Sequence, residues 1–305
     1  MTMQIDIKGH SGCSIDIIEA EGKLLVKKSS KDKKYLDRLY LQGQKQSNDK
    51  SAEESGIKVP YIHDLKKTDN DAYILMDYIY AKNFVDYFET ATPEDIDNFI
   101  TKFINYIQDE TSKCELQSVD RNKFCLKFES VYENCQKNTL LNSAYVRDVV
   151  NKVLNKARTA FLMLPTHIDL PVGVCHGDLT FSNILFTSNK MYFIDYLDSF
   201  IETPIQDIVK LRQDTYYFWS LQMYDKRYDP VRIKMIFNYI DKKIDAYFRA
   251  NNEAYDKFYD SLQLMNILRI LPYVKEERVR DFLIKKLECM VEKYPETKLK
   301  SLDEA

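Results

Sequence analysis

The sequence predicts an α+β protein in which strands come first and helices follow. Three observations carry this. Apolar and polar residues alternate in short runs up to about residue 80, apolar residues recur at helical spacing from residue 83 onward, and one strand pair interrupts the helices at 184–194. A chain of 305 residues with 45% hydrophobic content can bury a sizeable core and divide into two lobes.

Ile5 and Ile7 alternate with polar residues, Gly9-His10-Ser11-Gly12 turns the chain, and Ile15 and Ile17 resume the alternation. Glu21-Gly22 then leads into Leu24-Leu25-Val26-Lys27, giving strand, loop, strand, turn, strand. A loop with two glycines and a serine offers backbone N–H groups to an anion. Leu25 and Lys27 share one face of the third strand and Leu24 and Val26 the other, so that with Lys27 inward Lys28 would face outward into solvent. A one-residue slip of register would exchange the two lysines. A helix follows over 33–46, and Val59-Pro60 and Tyr73–Ile79 supply two further strands around the polar turn 66–71.

Thr92-Pro93-Glu94-Asp95 starts a helix, with a Thr cap, Pro at the first helical position and acids in the first turn. Ile96, Phe99, Ile100, Phe103, Ile104 and Ile107 form its apolar stripe, which is core rather than a cofactor site. Helices are expected over 120–137 and 145–162, then from Asp207 through Arg212, and over 229–250, 254–271 and 275–294.

With a formal charge of −3 and both signs interspersed, nothing marks a nucleic-acid-binding surface. The six cysteines show neither a CxxC pair nor metal-ligand spacing, and the chain starts without the apolar core of a secretion signal. They read as reduced thiols of a cytoplasmic protein. No apolar run approaches the ~20 residues needed to span a bilayer, so membrane insertion is not expected.

The chemistry concentrates at 174–198. Ile184–Phe186 and Met191–Ile194 flank a polar turn as a β-hairpin. A hairpin returns its ends to one place, so Asn183 before the first strand and Asp195 after the second set two oxygen donors side by side. Such a pair suits a hard cation, Mg²⁺ above all. Asp178, five residues before Asn183, is placed to face a substrate hydroxyl. Phosphoryl transfer needs this separation of base from metal ligands. His176 is read as a hydrogen-bonding brace of the loop.

His176-Gly177-Asp178-Leu179-x-x-x-Asn183-Ile184-Leu185, followed by Ile194-Asp195, resembles the signature of the aminoglycoside phosphotransferase and choline kinase family, small-molecule kinases with a protein-kinase-like fold. The resemblance implies two lobes: a nucleotide-binding lobe over 1–80 built on a small antiparallel sheet, and a mostly helical lobe over 81–305. ATP and Mg²⁺ would occupy the cleft between them. By the same resemblance Asp178 is the base, Asn183 and Asp195 hold the metal, and Lys27 with the Ser11 and Gly12 amides cradles the phosphates. Asp77, Tyr78 and Ile79 form the hinge that meets adenine, and Asp207 braces the loops.

One departure stands out, because no Glu lies between Gly22 and Ala52 to pair with the lysine. Gln42, Gln46, Glu53 and Glu54 remain as substitutes. A protein kinase is disfavoured, since no Ala-Pro-Glu follows Asp195; a non-catalytic nucleotide-binding module is disfavoured by the intact Asp178, Asn183 and Asp195 set. The expected acceptor is a small molecule bearing a hydroxyl, such as a sugar, amino-sugar or amino-alcohol, with Asp198, Glu202 and Asp214 available to meet a cation.

Overall fold

The computed structural model describes residues 13–296, except 21 and 189. Ser11, Gly12 and the expected first strand lie outside the described residues.

The described N-terminal part is β1 (Ser14–Ala20), β2 (Lys23–Ser30), α1 (Leu36–Ser47), the short α2 (Lys50–Glu54), β3 (Ile62–Lys67) and β4 (Ala72–Asp77). These strands form an antiparallel sheet in the order β1-β2-β4-β3. Gly22, with φ +74°, supplies the left-handed residue that the β1–β2 turn requires. Helix α1 lays Leu36 and Leu39 on Ala72, Ile74 and Met76, and with Cys13 these make a small core of their own.

The strand expected at Val59-Pro60 is instead β3, at 62–67. As an edge strand β3 buries no residue fully, so its sequence lacks the clear alternation by which strands are found. Val59 packs on the larger core with Ala52 and Ile57, and the Pro60 carbonyl accepts a hydrogen bond from Gln46 Nε2 at 3.2 Å.

The remainder is mostly helical: α3 (Phe84–Thr90), α4 (Pro93–Ser112), β5 (Glu115–Asp120), α5 (Asn122–Lys137), α6 (Arg147–Leu162), β6 (His167–Val172), β7 (Ile184–Phe186), β8 (Met191–Phe193), α7 (Ile205–Thr215), α8 (Pro230–Asn251), α9 (Glu253–Leu268) and α10 (Glu277–Val291). Thr92 and Asp95 close a full capping box on α4: Asp95 N donates to Thr92 Oγ1 and Thr92 N to Asp95 Oδ2. The antiparallel β5–β6 ladder is not foreseen in the sequence, because β5 exposes all but Val119.

An aromatic knot anchors the hairpin to the helices. Phe181 lies 4.8 Å from Phe237 and 5.1 Å from Phe88, and Tyr87 stacks on Phe186 at 4.2 Å. Each fully buried Phe ring contributes about 1.5–3 kcal/mol of transfer free energy. The loop carrying Asp178 is therefore clamped at Phe181, three residues away.

Candidate active site

The hairpin forms as expected, and its ends converge. The Ile194 amide donates to the Asn183 carbonyl at 3.1 Å, and the Leu197 amide to the His176 carbonyl at 2.8 Å. Two backbone positions make this crossing possible. Gly177 has φ +85°, and a Cβ there would come within 2.1 Å of the Leu197 carbonyl oxygen. Asp195 has φ +62°, the left-handed region. Aspartate tolerates that region better than most residues, yet it costs roughly 1–2 kcal/mol, and such strain collects where a side chain must be aimed.

Asn183 turns its amide toward Asp178, donating from Nδ2 to the Asp178 carbonyl at 2.7 Å and to its Oδ2 at 3.0 Å. This fixes the amide orientation and leaves Oδ1 as the free oxygen donor. On the other side, Lys210 of α7 places Nζ 2.9 Å from Asp178 Oδ1. Lys210 escaped the sequence reading; it sits three residues after Asp207, one helical turn along the same helix.

His176 is fully buried, and burial drives its pKa down to about 3, so the ring is neutral. The Ile194 carbonyl can only accept, so Nε2 carries the proton and donates to it at 2.8 Å; Nδ1 accepts the Asp178 amide at 3.3 Å. The ring thus ties the hairpin end to the Asp178 backbone, a brace and not a proton carrier.

Asp207 and Asp214, both fully buried, hold the loop from beneath through α7. Asp207 accepts the His176 and Gly177 amides at 2.7 Å each; burial pushes its carboxyl up to about 8 against those two donors and Lys45. Asp214 accepts the Phe181 amide at 2.6 Å and the Ser220 amide at 2.8 Å, and burial raises it to about 6. The expectation that Asp214 meets a cation is therefore corrected: its oxygens are committed to backbone amides inside the core.

Lys27 also requires correction. Lys28 is the buried lysine, 4% exposed, with Nζ 2.9 Å from Asp195 Oδ1. Lys27 lies on the other face, its ammonium 4.7 Å from the Tyr73 ring. Both faces of β2 bury residues: Val26 and Lys28 share the face that meets α1, where Val26 packs on the Leu36 and Leu39 core, while Leu25, also buried, shares the opposite face with Lys27. Burial alone would lower the pKa of Lys28, but the charge and hydrogen bond of Asp195 outweigh it and the net shift is upward. Gln42 of α1 occupies the place of the missing acid, its Oε1 3.4 Å from Lys28 Nζ.

The other acids are also engaged. Asp198 pairs with Arg38 at 2.8 Å, and Glu202 meets Lys45 at 2.7 Å and the Ser199 amide at 2.7 Å. At the hinge the Asp77 amide donates to Tyr61 O and the Tyr78 amide to Leu24 O, while the Ile79 amide has no partner among the described residues. A cavity lined by Leu24, Asp77, Tyr78 and Tyr80 opens beside it. Asn183 Oδ1 and the Asp195 carboxylate are hard oxygen donors of the kind that would hold a magnesium ion, and two such ligands would leave the rest of its shell to water and phosphate; among the described residues no cluster of three or more His, Cys, Asp or Glu forms a self-sufficient metal cage.

A small antiparallel sheet ahead of a mostly helical remainder, with Asp178, Asn183, Asp195 and a buried lysine gathered at one loop, defines the class, a small-molecule phosphotransferase. The model of the APH phosphotransferase enzyme family matches residues 40–230, and the chain belongs to that family. Similar solved structures show the same fold at low identity. A thermostable mutant of the aminoglycoside phosphotransferase APH(4)-Ia has 10% identity and a TM-score of 0.60, the alignment covering 96% of this chain and 94% of that one. A choline/ethanolamine kinase family protein from Mesorhizobium loti has 16% identity and a TM-score of 0.57, over 96% and 88%. An APH(2″) enzyme in complex with GDP and kanamycin has 16% identity and a TM-score of 0.58, over 96% and 92%. No curated protein matches the sequence. No helix among the described residues is long and apolar enough to cross a membrane.

Proposed function

We propose that the protein transfers the γ-phosphoryl group of ATP to a hydroxyl of a small molecule. The observation that carries this is Asn183, whose amide nitrogen is bound to Asp178 while Oδ1 keeps no partner among the described residues, with Asp195 in a left-handed backbone at the other end of the hairpin, paired with Lys28. Asp178 orients the acceptor hydroxyl and takes its proton, and Lys210 steadies that carboxylate. Asn183 and Asp195 would hold Mg²⁺, which when bound with ATP neutralises phosphate charge and leaves positioning to the protein. Lys28 replaces Lys27 as the phosphate contact and is drawn to nucleotide from its pairing with Asp195. Ser11 and Gly12 amides complete the phosphate cradle, and the free Ile79 amide, with Asp77 and Tyr78 beside it, meets the base. Residues 1–80 are the nucleotide-binding lobe and 81–305 the lobe that binds the acceptor. The six cysteines, free of disulfides, suit a reducing cytoplasm.

The test is ADP release and ³¹P NMR of the acceptor mixture with ATP and Mg²⁺, for wild type and Asp178→Asn. Magnesium-dependent formation of a phosphate monoester, lost in the variant, supports the assignment. Equal turnover in the variant removes Asp178 from its role. Nucleotide binding without any turnover would favour a binding module.

A further inference from the structure

Beside Asp178 lies a group of cations larger than its carboxylates can neutralise. Arg269, at the C-terminal end of α9, carries a buried Nη1 with no hydrogen-bond partner, and its guanidinium lies 5.8 Å from the Phe200 ring. Its electrostatic neighbours are Asp178, Arg38, Asp198 and Tyr273. Lys127 of α5 faces the same place, its pKa lowered by burial and by the Arg269 and Arg38 charges. Arg38 is bound to Asp198 and Lys210 to Asp178. Arg269 and Lys127 make no ion pair among the described residues.

Arg269 is partly buried, and leaving its buried Nη1 without a hydrogen-bond partner costs free energy, so the cation beside Asp178 calls for a partner from outside the chain. A cationic acceptor fits poorly: the nearby acids Asp198, Glu202 and Asp214 are already held by Arg38, by Lys45 and by the Phe181 and Ser220 amides.

We propose that the acceptor is a hydroxyl compound bearing an anionic group, a carboxylate or a phosphate monoester, which Arg269 and Lys127 grip while Asp178 holds the hydroxyl. Guanidinium forks match both anions. The reaction balances: the acceptor oxygen bonds to Pγ, the bond from Pγ to the β,γ-bridging oxygen breaks, ADP leaves, and the hydroxyl proton passes to Asp178 and then to water. This inference rests on the phosphotransferase reading above.

The experiment compares two matched sets: glucose, glucosamine, glucuronate and glucose 6-phosphate; then glycerol, ethanolamine, glycerate and glycerol 3-phosphate. Each is tested for turnover with ATP and Mg²⁺ and for direct binding by calorimetry, on wild type, Arg269→Gln and Lys127→Gln. The expected result is binding and turnover of anionic members only, with the preference inside each set telling carboxylate from phosphate. In Arg269→Gln the KM for that acceptor rises on the order of 10–100-fold, the loss of one charge-assisted pairing, while KM for ATP stays unchanged. Lys127→Gln gives a smaller rise and serves if the arginine variant does not fold. Preferred turnover of neutral or cationic members, an unchanged acceptor KM in both variants, or no binding of any anion would overturn the proposal. Absence of ATP binding and turnover alongside Arg269-dependent anion binding would sink the phosphotransferase reading and leave the anion site standing.

Discussion

Four aspartates around the loop divide into two pairs that share a chemistry and differ in surroundings. Asp207 and Asp214 are fully buried and spend their oxygens on backbone amides. Asp178 and Asp195 keep 26% and 39% of their side chains exposed and face Lys210 and Lys28 instead. Burial with fixed backbone donors makes a carboxylate a structural pin; partial exposure beside a lysine ammonium leaves it open to exchange partners when a ligand arrives.

The sharpest way to break this contrast is substitution in the accessible pair. Asp178→Asn should lower kcat by roughly 10²–10⁴, the range for a lost general base, with the melting temperature nearly unchanged. Asp195→Asn should lower turnover on the order of 10²–10³ and abolish any magnesium dependence of ATP-induced thermal stabilisation. A large loss of fold stability in either variant would show that these residues are pins as well.

The lysine correction supplies a narrower test. Lys28→Met should reduce kcat/KM for ATP roughly 10²-fold or more, as removal of a buried charge at the phosphates does. Lys27→Met, on the other face of β2, should change it by less than about threefold. Equal effects would reinstate the register read from the sequence.

In the buried pair the expected loss is stability. Asp207→Ala strands the His176 and Gly177 amides, each worth about 1–3 kcal/mol when left unsatisfied, and urea unfolding should report that loss. Activity falls with it because the loop loosens.

The last test is the pH dependence of stability, in which two groups oppose one another. His176, with a folded pKa of about 3, binds fewer protons folded than unfolded below its ordinary value, so its contribution is lost as pH falls from about 6.5 toward 3. Asp207, raised to about 8, binds more protons folded, so its contribution favours the fold at low pH and is lost as pH rises from about 4 to 8. The two oppose one another between about 4 and 6.5. His176→Asn should flatten the acid limb of a stability profile and Asp207→Asn the neutral one; unchanged slopes would mean that neither group is buried in solution.

Local rules made much of this legible. Thr92 with Pro93 and Asp95 announced α4, and two apolar triplets around a polar turn announced the hairpin beneath Asn183 and Asp195. Edge strands β3 and β5 left almost no trace, because exposed strands have no reason to alternate. The spacing of Asp178, Asn183 and Asp195 follows from chain geometry within a few residues, so the sequence by itself determined the motif, the family resemblance and the class of chemistry.

The tertiary structure alone decided which partners meet across long stretches of chain. Lys28 reaches Asp195 across 167 residues, and the choice over Lys27 rests on a strand register that one residue reverses. Lys210 beside Asp178, Gln42 in place of an acid, and Arg269 and Lys127 brought together from two helices depend on how packed elements cross. Helical and strand periodicities report which face of an element is buried; they carry no record of what that face will touch.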